Sequence, residues 1–208
     1  MAYIHSYSIL RNKTLFHENK VVYSNPQAGL DVFLQEAFES LGISYPKFYK
    51  MDRLAQSGIL ASEPFFSVIR ELNFAPLETA IVLSNAESSL DTDIRFFEST
   101  KTAASPSLFV YTLPNIVTGE IAIRQGIKGE NAFFVTNEFD PGLIAKYVDH
   151  LLQNTAAKAC IAGWIDVLED KHDVFLYLAV KEKTPDALEH SAQHLRNFYN
   201  STHGNAKE

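Results

Sequence analysis

Apolar and polar residues alternate over residues 3–10, the two-residue period that places successive side chains on opposite faces of a strand. Polar residues then break the period from 12 to 25, where an irregular loop is expected. Leu30, Phe33, Leu34, Ala37, Phe38 and Leu41 recur at three- and four-residue spacing, which predicts an amphipathic helix stopped by Gly42. Leu54, Ala55, Ile59, Phe65 and Phe66 extend a second helical stripe over 52–66, weakened at Gly58.

Residues 79–83 form a short uninterrupted apolar run, as in a strand covered on both faces. A helix is predicted over 91–99, and Pro106 and Pro114 bracket a short connection to another helix at 116–124. Residues 132–136 are aromatic and β-branched and read as a second buried strand. A helical stripe runs over 141–154, with Pro141 tolerated in its first turn. Residues 159–165 read as a third buried strand, and a polar turn at 169–173 leads into a hairpin partner at 174–180. The last helix is expected over 187–199, followed by a frayed tail at 200–208. Helical crossovers demand parallel neighbours. The expected class is therefore α/β: one domain over 1–208 with a mixed, mainly parallel, five-stranded sheet covered by helices.

Composition narrows the classes. Hydrophobic residues make up 46% and charged residues 21%, near the globular average. No apolar run approaches the roughly 20 residues of a membrane span, and the first residues lack a secretion signal, so a cytoplasmic setting is expected. The net charge of −7 argues against a nucleic-acid surface. Lys47, Lys50, Arg53 and Arg70 are candidates for a local basic patch, with a solvated helix face as the plainer reading. The one cysteine, Cys160, excludes an intramolecular disulfide and sits mid-strand, where a thiol behaves as a small hydrophobe. His190 and His194 have i,i+4 metal spacing on the final helix but no third ligand, so they read as helix surface. Gly126 and Gly129 lack the Lys-Ser/Thr ending of a phosphate loop. No metal and no cofactor is implied.

One stretch carries more than a structural message. The run from Asn115 through Gly119, Gly126 and Gly129 to Glu138 resembles the segment before the catalytic cysteine of β-ketoacyl synthases of the thiolase superfamily, with Glu138 at the nucleophile's position. Met51-Asp52-Arg53 resembles the Met-Asp-Arg signature that opens a helix in those enzymes. Gly163 stands 25 residues beyond Glu138, similar to their glycine-ended strand. The resemblance covers about 3–180, and it implies a thiolase-like half.

Two departures shape the implied function. A carboxylate at 138 shares the helix N-terminal stabilisation of a thiolate but is a poor nucleophile toward a thioester. A bond to helix N–H groups is its expected role. The histidines and lysine that drive decarboxylative condensation belong to a second half that this sequence does not match. The resemblance thus implies a chain-length-factor-like subunit, inactive alone. It would pair as a heterodimer with a complete ketosynthase in a 3-oxoacyl carrier-protein synthase complex. There it would meet acyl carrier protein through the complex, in fatty-acid or polyketide (aryl polyene) elongation. In ketosynthase dimers the strand before the nucleophile meets its counterpart across the two-fold axis. That assigns Ala132, Phe133, Phe134, Val135 and Thr136 to the partner interface. The alternative is a stand-alone malonyl-decarboxylating or acyl-binding protein that uses Glu138 as polar anchor.

Overall fold

The computed structural model describes residues 2–185 and 187–201. Its framework is an eight-stranded sheet in the order β3-β2-β1-β7-β6-β4-β5, with β8 paired to β1. The strands are β1 (Tyr3–Arg11), β2 (Thr14–His17), β3 (Lys20–Ser24), β4 (Thr79–Asn85), β5 (Asn131–Val135), β6 (Ala159–Leu168), β7 (Lys171–Val180) and β8 (Leu188–Glu189). Only β4–β5 and β4–β6 are parallel among these pairings. The five-stranded, mainly parallel sheet expected from the sequence is thus corrected to eight strands with mostly antiparallel pairing.

The extra strands come from the segment read as a loop. Asn12 and Lys13 both take positive φ (49° each), the left-handed pair that turns a two-residue hairpin between β1 and β2. Glu18 (φ 53°) helps turn β2 into β3. Four- and five-residue strands interrupted by polar turns show too little period to be seen in the sequence.

Among the described residues seven α-helices accompany the sheet: α1 (Leu30–Ser40), α2 (Arg53–Glu71), α3 (Leu90–Ser99), α4 (Pro106–Val110), α5 (Ile116–Gln125), α6 (Pro141–Asn154) and α7 (Ala192–Asn200). The strand period divides the core. Ile161, Ile165, Leu176 and Leu178 point to the face covered by α1, α2 and α5. Cys160, Ala162, Trp164, Phe175 and Tyr177 point to the face covered by α6 and α7. Each buried side chain of this size contributes about 1.5–3 kcal/mol.

The central helix α2 outruns its expected end. Pro64 lacks the N–H that would bond the Leu60 carbonyl. The helix continues because Phe65 and Ile69 stay buried on the same stripe. Its start is capped by Asp52, whose carboxylate accepts from Ala55 N (2.9 Å) and the Thr92 hydroxyl (2.7 Å). Gly58, which weakened the helix on paper, lies at the α2–α5 contact. A Cβ there would sit 2.4 Å from Val117 Cγ2. No described helix is long and apolar enough to cross a membrane. Asn200 closes α7 and Ser201 follows it; the rest of the tail expected to fray lies outside the described residues.

Candidate functional site

Position 138 lies in the bend between β5 and α6. Thr136 N donates to the Asn85 carbonyl (2.8 Å), carrying the β4–β5 pairing past the strand end, and its hydroxyl donates to the Glu138 carbonyl (2.9 Å). Phe139 then turns inward between Tyr199 (centroids 4.7 Å), Phe175 (5.6 Å) and Trp164 (6.3 Å). Asp140 caps α6, accepting from Gly142 N (2.9 Å) and Leu143 N (3.0 Å), and Pro141 opens the helix. The role expected of Glu138 is therefore filled by Asp140. Glu138 is exposed, and no described residue bonds its carboxylate. The reason is reach: an N-cap side chain must be one residue before the first turn, and 138 is three before Pro141.

Glu138 and Asp140 face a cleft of about 550 Å³ whose far wall is α7, through Arg196, Tyr199 and Asn200. Tyr199 is fixed from three sides. Its hydroxyl donates to Asp173 Oδ2 (2.5 Å), its carbonyl accepts from Arg11 (2.6 Å), and the Arg11 guanidinium lies 4.4 Å over its ring. Burial, then the neighbouring Asp173 carboxylate, pushes the Tyr199 hydroxyl well above its usual range, so it stays a proton donor. The chain's cysteine is remote from this cleft. Cys160 lies fully buried in β6, where desolvation pushes its thiol far up.

The other motif residues do not join Glu138. Gly126 ends α5 in the left-handed region (φ 71°), and a Cβ on Gly129 would sit 2.2 Å from the Thr79 carbonyl oxygen. Gly163 has φ 145°, and a Cβ there would meet the Phe175 carbonyl oxygen at 2.0 Å. Gly119 has open space around it, and Asn115 precedes α5 without a side-chain capping bond. Nothing in the structure explains these last two residue types.

Strand β5 is one edge of the sheet, opposite β3. It pairs with β4 on one side, and no described strand lies on the other. It is half-buried, a correction to the fully buried strand expected. Phe133 packs toward the α2–α5 core, while Phe134 meets Tyr147 of α6 edge-on at 5.1 Å. Val135 is 56% exposed.

At the C-terminal end of β4, α3 is turned inside out. Asp91 and Thr92 point inward: Asp91 Oδ1 accepts from Glu169 N (2.7 Å) and Arg53 (3.2 Å), and Thr92 bonds Asp52. Leu90, Ile94 and Phe97, at i, i+4 and i+7, face outward beside Phe109, Val110 and Leu113 of the α4 region. The helix was readable in the sequence; the direction of its faces was not, because buried polar anchors set it.

Three of the four basic candidates are committed within the fold, and Lys50 is exposed. Lys47 pairs with Glu120 (2.6 Å), Arg53 grips Asp31 through two bonds of 2.7 Å, and Arg70 stacks on Phe66 (4.8 Å). The histidine pair is also corrected. His190 precedes α7 and is buried, with Nδ1 2.9 Å from Asp149 and Nε2 3.0 Å from the Tyr177 hydroxyl. His194 Nδ1 lies 2.8 Å from the Glu189 carbonyl.

No protein-family model and no curated protein matches the chain. Solved structures match in fold. The ishigamide ketosynthase/chain length factor superposes with a TM-score of 0.61 at 14% identity, over 89% of this chain and 63% of that one. AntDE:AntF, a type II PKS acyl-carrier protein in complex with its ketosynthase bound to the hexaketide, gives 0.58 at 11%, over 86% and 63%. The ketosynthase ApeO in complex with its chain length factor ApeC, from Xenorhabdus doucetiae, gives 0.51 at 10%, over 76% and 72%. The chain spans 63% of the first two of these. It has the thiolase-like α/β fold that ketosynthases and chain length factors share.

Proposed function

We propose that this chain is a non-catalytic, chain-length-factor-like subunit that pairs with a complete β-ketoacyl synthase, in carrier-protein-bound fatty-acid or polyketide elongation of the aryl-polyene kind. The observation that carries the reading is the β5–α6 junction. In the resemblance this is the nucleophile's place, and here it holds an exposed, unbonded Glu138 in a cleft shared with Asp140, Arg196 and Tyr199. A solvated carboxylate neither attacks a thioester nor supplies the positioned donors that stabilise its oxyanion. Beside the junction runs β5, an edge strand that pairs with a described strand on one side only, and α3 and α4 turn apolar side chains outward; surfaces of both kinds suit a protein partner.

Co-expression with a complete β-ketoacyl synthase from the same source tests the reading. A 1:1 complex that survives affinity capture and size-exclusion chromatography is the expected result, lost when Val135→Lys places a charge on the β5 edge. Recovery of the two chains as separate species would count against it.

A further inference from the structure

The His190 contacts lie outside the junction and hold the end of the chain in place. Strand β8 pairs with β1 (Ile4 opposite Leu188, Tyr3 opposite Glu189), His190 N donates to the Ala2 carbonyl (2.9 Å), and Ser191 then caps α7. The His190 side chain is fully enclosed between Tyr177 of β7 and Asp149 of α6. At its other end α7 is tied by Arg11 and Asp173 to Tyr199. The helix is thus a strap with two anchors, one built around an imidazole.

The hydrogen-bond inventory of the imidazole anchor closes in one protonation state. Neutral His190 with Nδ1–H donates to Asp149, while Nε2 accepts from the Tyr177 hydroxyl. A second ring proton turns Nε2 into a donor. The Tyr177 hydroxyl must then accept, and its own hydrogen is stranded inside a fully buried side chain. The groups facing the ring are few: Asp149 from α6, Tyr177 from β7, and beyond Tyr177 the Cys160 thiol of β6, which burial keeps neutral. Asp149 favours the imidazolium, but its carboxylate is about a third exposed, and enclosure of the ring outweighs it.

We propose that His190 is a proton-sensitive latch: its protonation undocks β8 and the first turn of α7 from β1 and α6, while the Tyr199 end stays anchored. Burial, opposed by Asp149, lowers the docked histidine below its ordinary range. The undocked strap therefore binds more protons than the docked one just below about pH 6.5. Docking is complete above that pH and weakens as pH falls through it. The cleft wall of Arg196, Tyr199 and Asn200 belongs to the end of α7 that stays anchored.

Hydrogen–deuterium exchange of the whole chain at pH 7.5 and pH 5.5, corrected for intrinsic exchange rates, tests this. The expected result is at least a tenfold loss of protection for amides of residues 188–195 at the lower pH, with those of β6 and β7 unchanged. His190→Gln, which can still donate to Asp149 and accept from Tyr177, should remove the pH dependence. Equal protection at both pH values in the unaltered chain overturns the proposal without recourse to any variant. So does an unchanged pH dependence in His190→Gln.

Discussion

At the scale of single residues, two neighbouring carboxylates have opposite consequences. Asp140 satisfies two amides at the start of α6, whereas Glu138 satisfies none. Asp140→Ala should therefore cost about 1 kcal/mol in urea unfolding. Glu138→Ala should stay within about 0.5 kcal/mol. It should also leave partner capture intact, and malonyl-carrier protein should remain unconsumed by the isolated chain in a decarboxylation assay. Loss of such an activity on this substitution would instead favour a catalytic Glu138. Asp52 gives a pH signature of its own. Burial raises its carboxyl to about 6, against bonds from Thr92 and Ala55 that hold it down. The native chain thus binds more protons here than the unfolded chain between about pH 4 and 6, so this group's contribution to stability falls as pH rises through that window and levels off above it. Urea unfolding at intervals from pH 4 to 7.5 should show that downward component, on the order of 2 kcal/mol in all, and Asp52→Asn should remove it.

At the scale of elements, the glycines separate conformational demand from mere occurrence. Gly129 and Gly163 are pressed against carbonyl oxygens, at 2.2 Å and 2.0 Å from where a Cβ would stand. Alanine at either position must move β4 or β7 backbone, and each variant should lose more than about 2 kcal/mol or fail to accumulate in soluble form. Gly119 lies in α5 with open space around it. There, alanine should raise stability by about 0.5–1 kcal/mol, measured by the denaturation midpoint. The helices and strands of α1, α2, β4, α5, α6, β6 and β7 were readable because each carries a long run of its own period. The β1–β2 and β2–β3 hairpins were not readable. Their strands have four and five residues, and their turns use Asn12, Lys13 and Glu18 in left-handed conformations that no glycine announces. The last helix was misplaced for a related reason. His190 looks like one of a helical pair by spacing, but Ser191 caps α7 after it, and the ring turns into the core.

At the scale of the whole molecule, the sheet has two helical covers and ends in two edge strands, β3 and β5. The edge of β5 carries the exposed Val135, and α3 and α4 turn apolar side chains outward, Phe97 at 66% exposure and Phe109 at 62%. Exposed apolar surface of this kind is tolerated where a partner covers it. Phe97→Glu with Phe109→Glu should make the isolated chain less prone to self-association, measured by light scattering, and should weaken capture of the ketosynthase at least tenfold. Unchanged capture would place the partner elsewhere on the surface.

The sequence by itself determined the class of fold, the elements with long periods, the motif glycines and the absence of cysteine at position 138. These are local properties, set by side-chain period and backbone freedom over a few residues. Only the tertiary structure decided the strand order, the outward turn of α3, the capture of Lys47 and Arg53 by carboxylates, and the enclosure of His190. Each of these depends on which distant residue supplies the partner: Asp52 for Thr92, Glu120 for Lys47, Tyr177 for His190. Pairing across such separations follows from how the whole chain packs, and no local period encodes it.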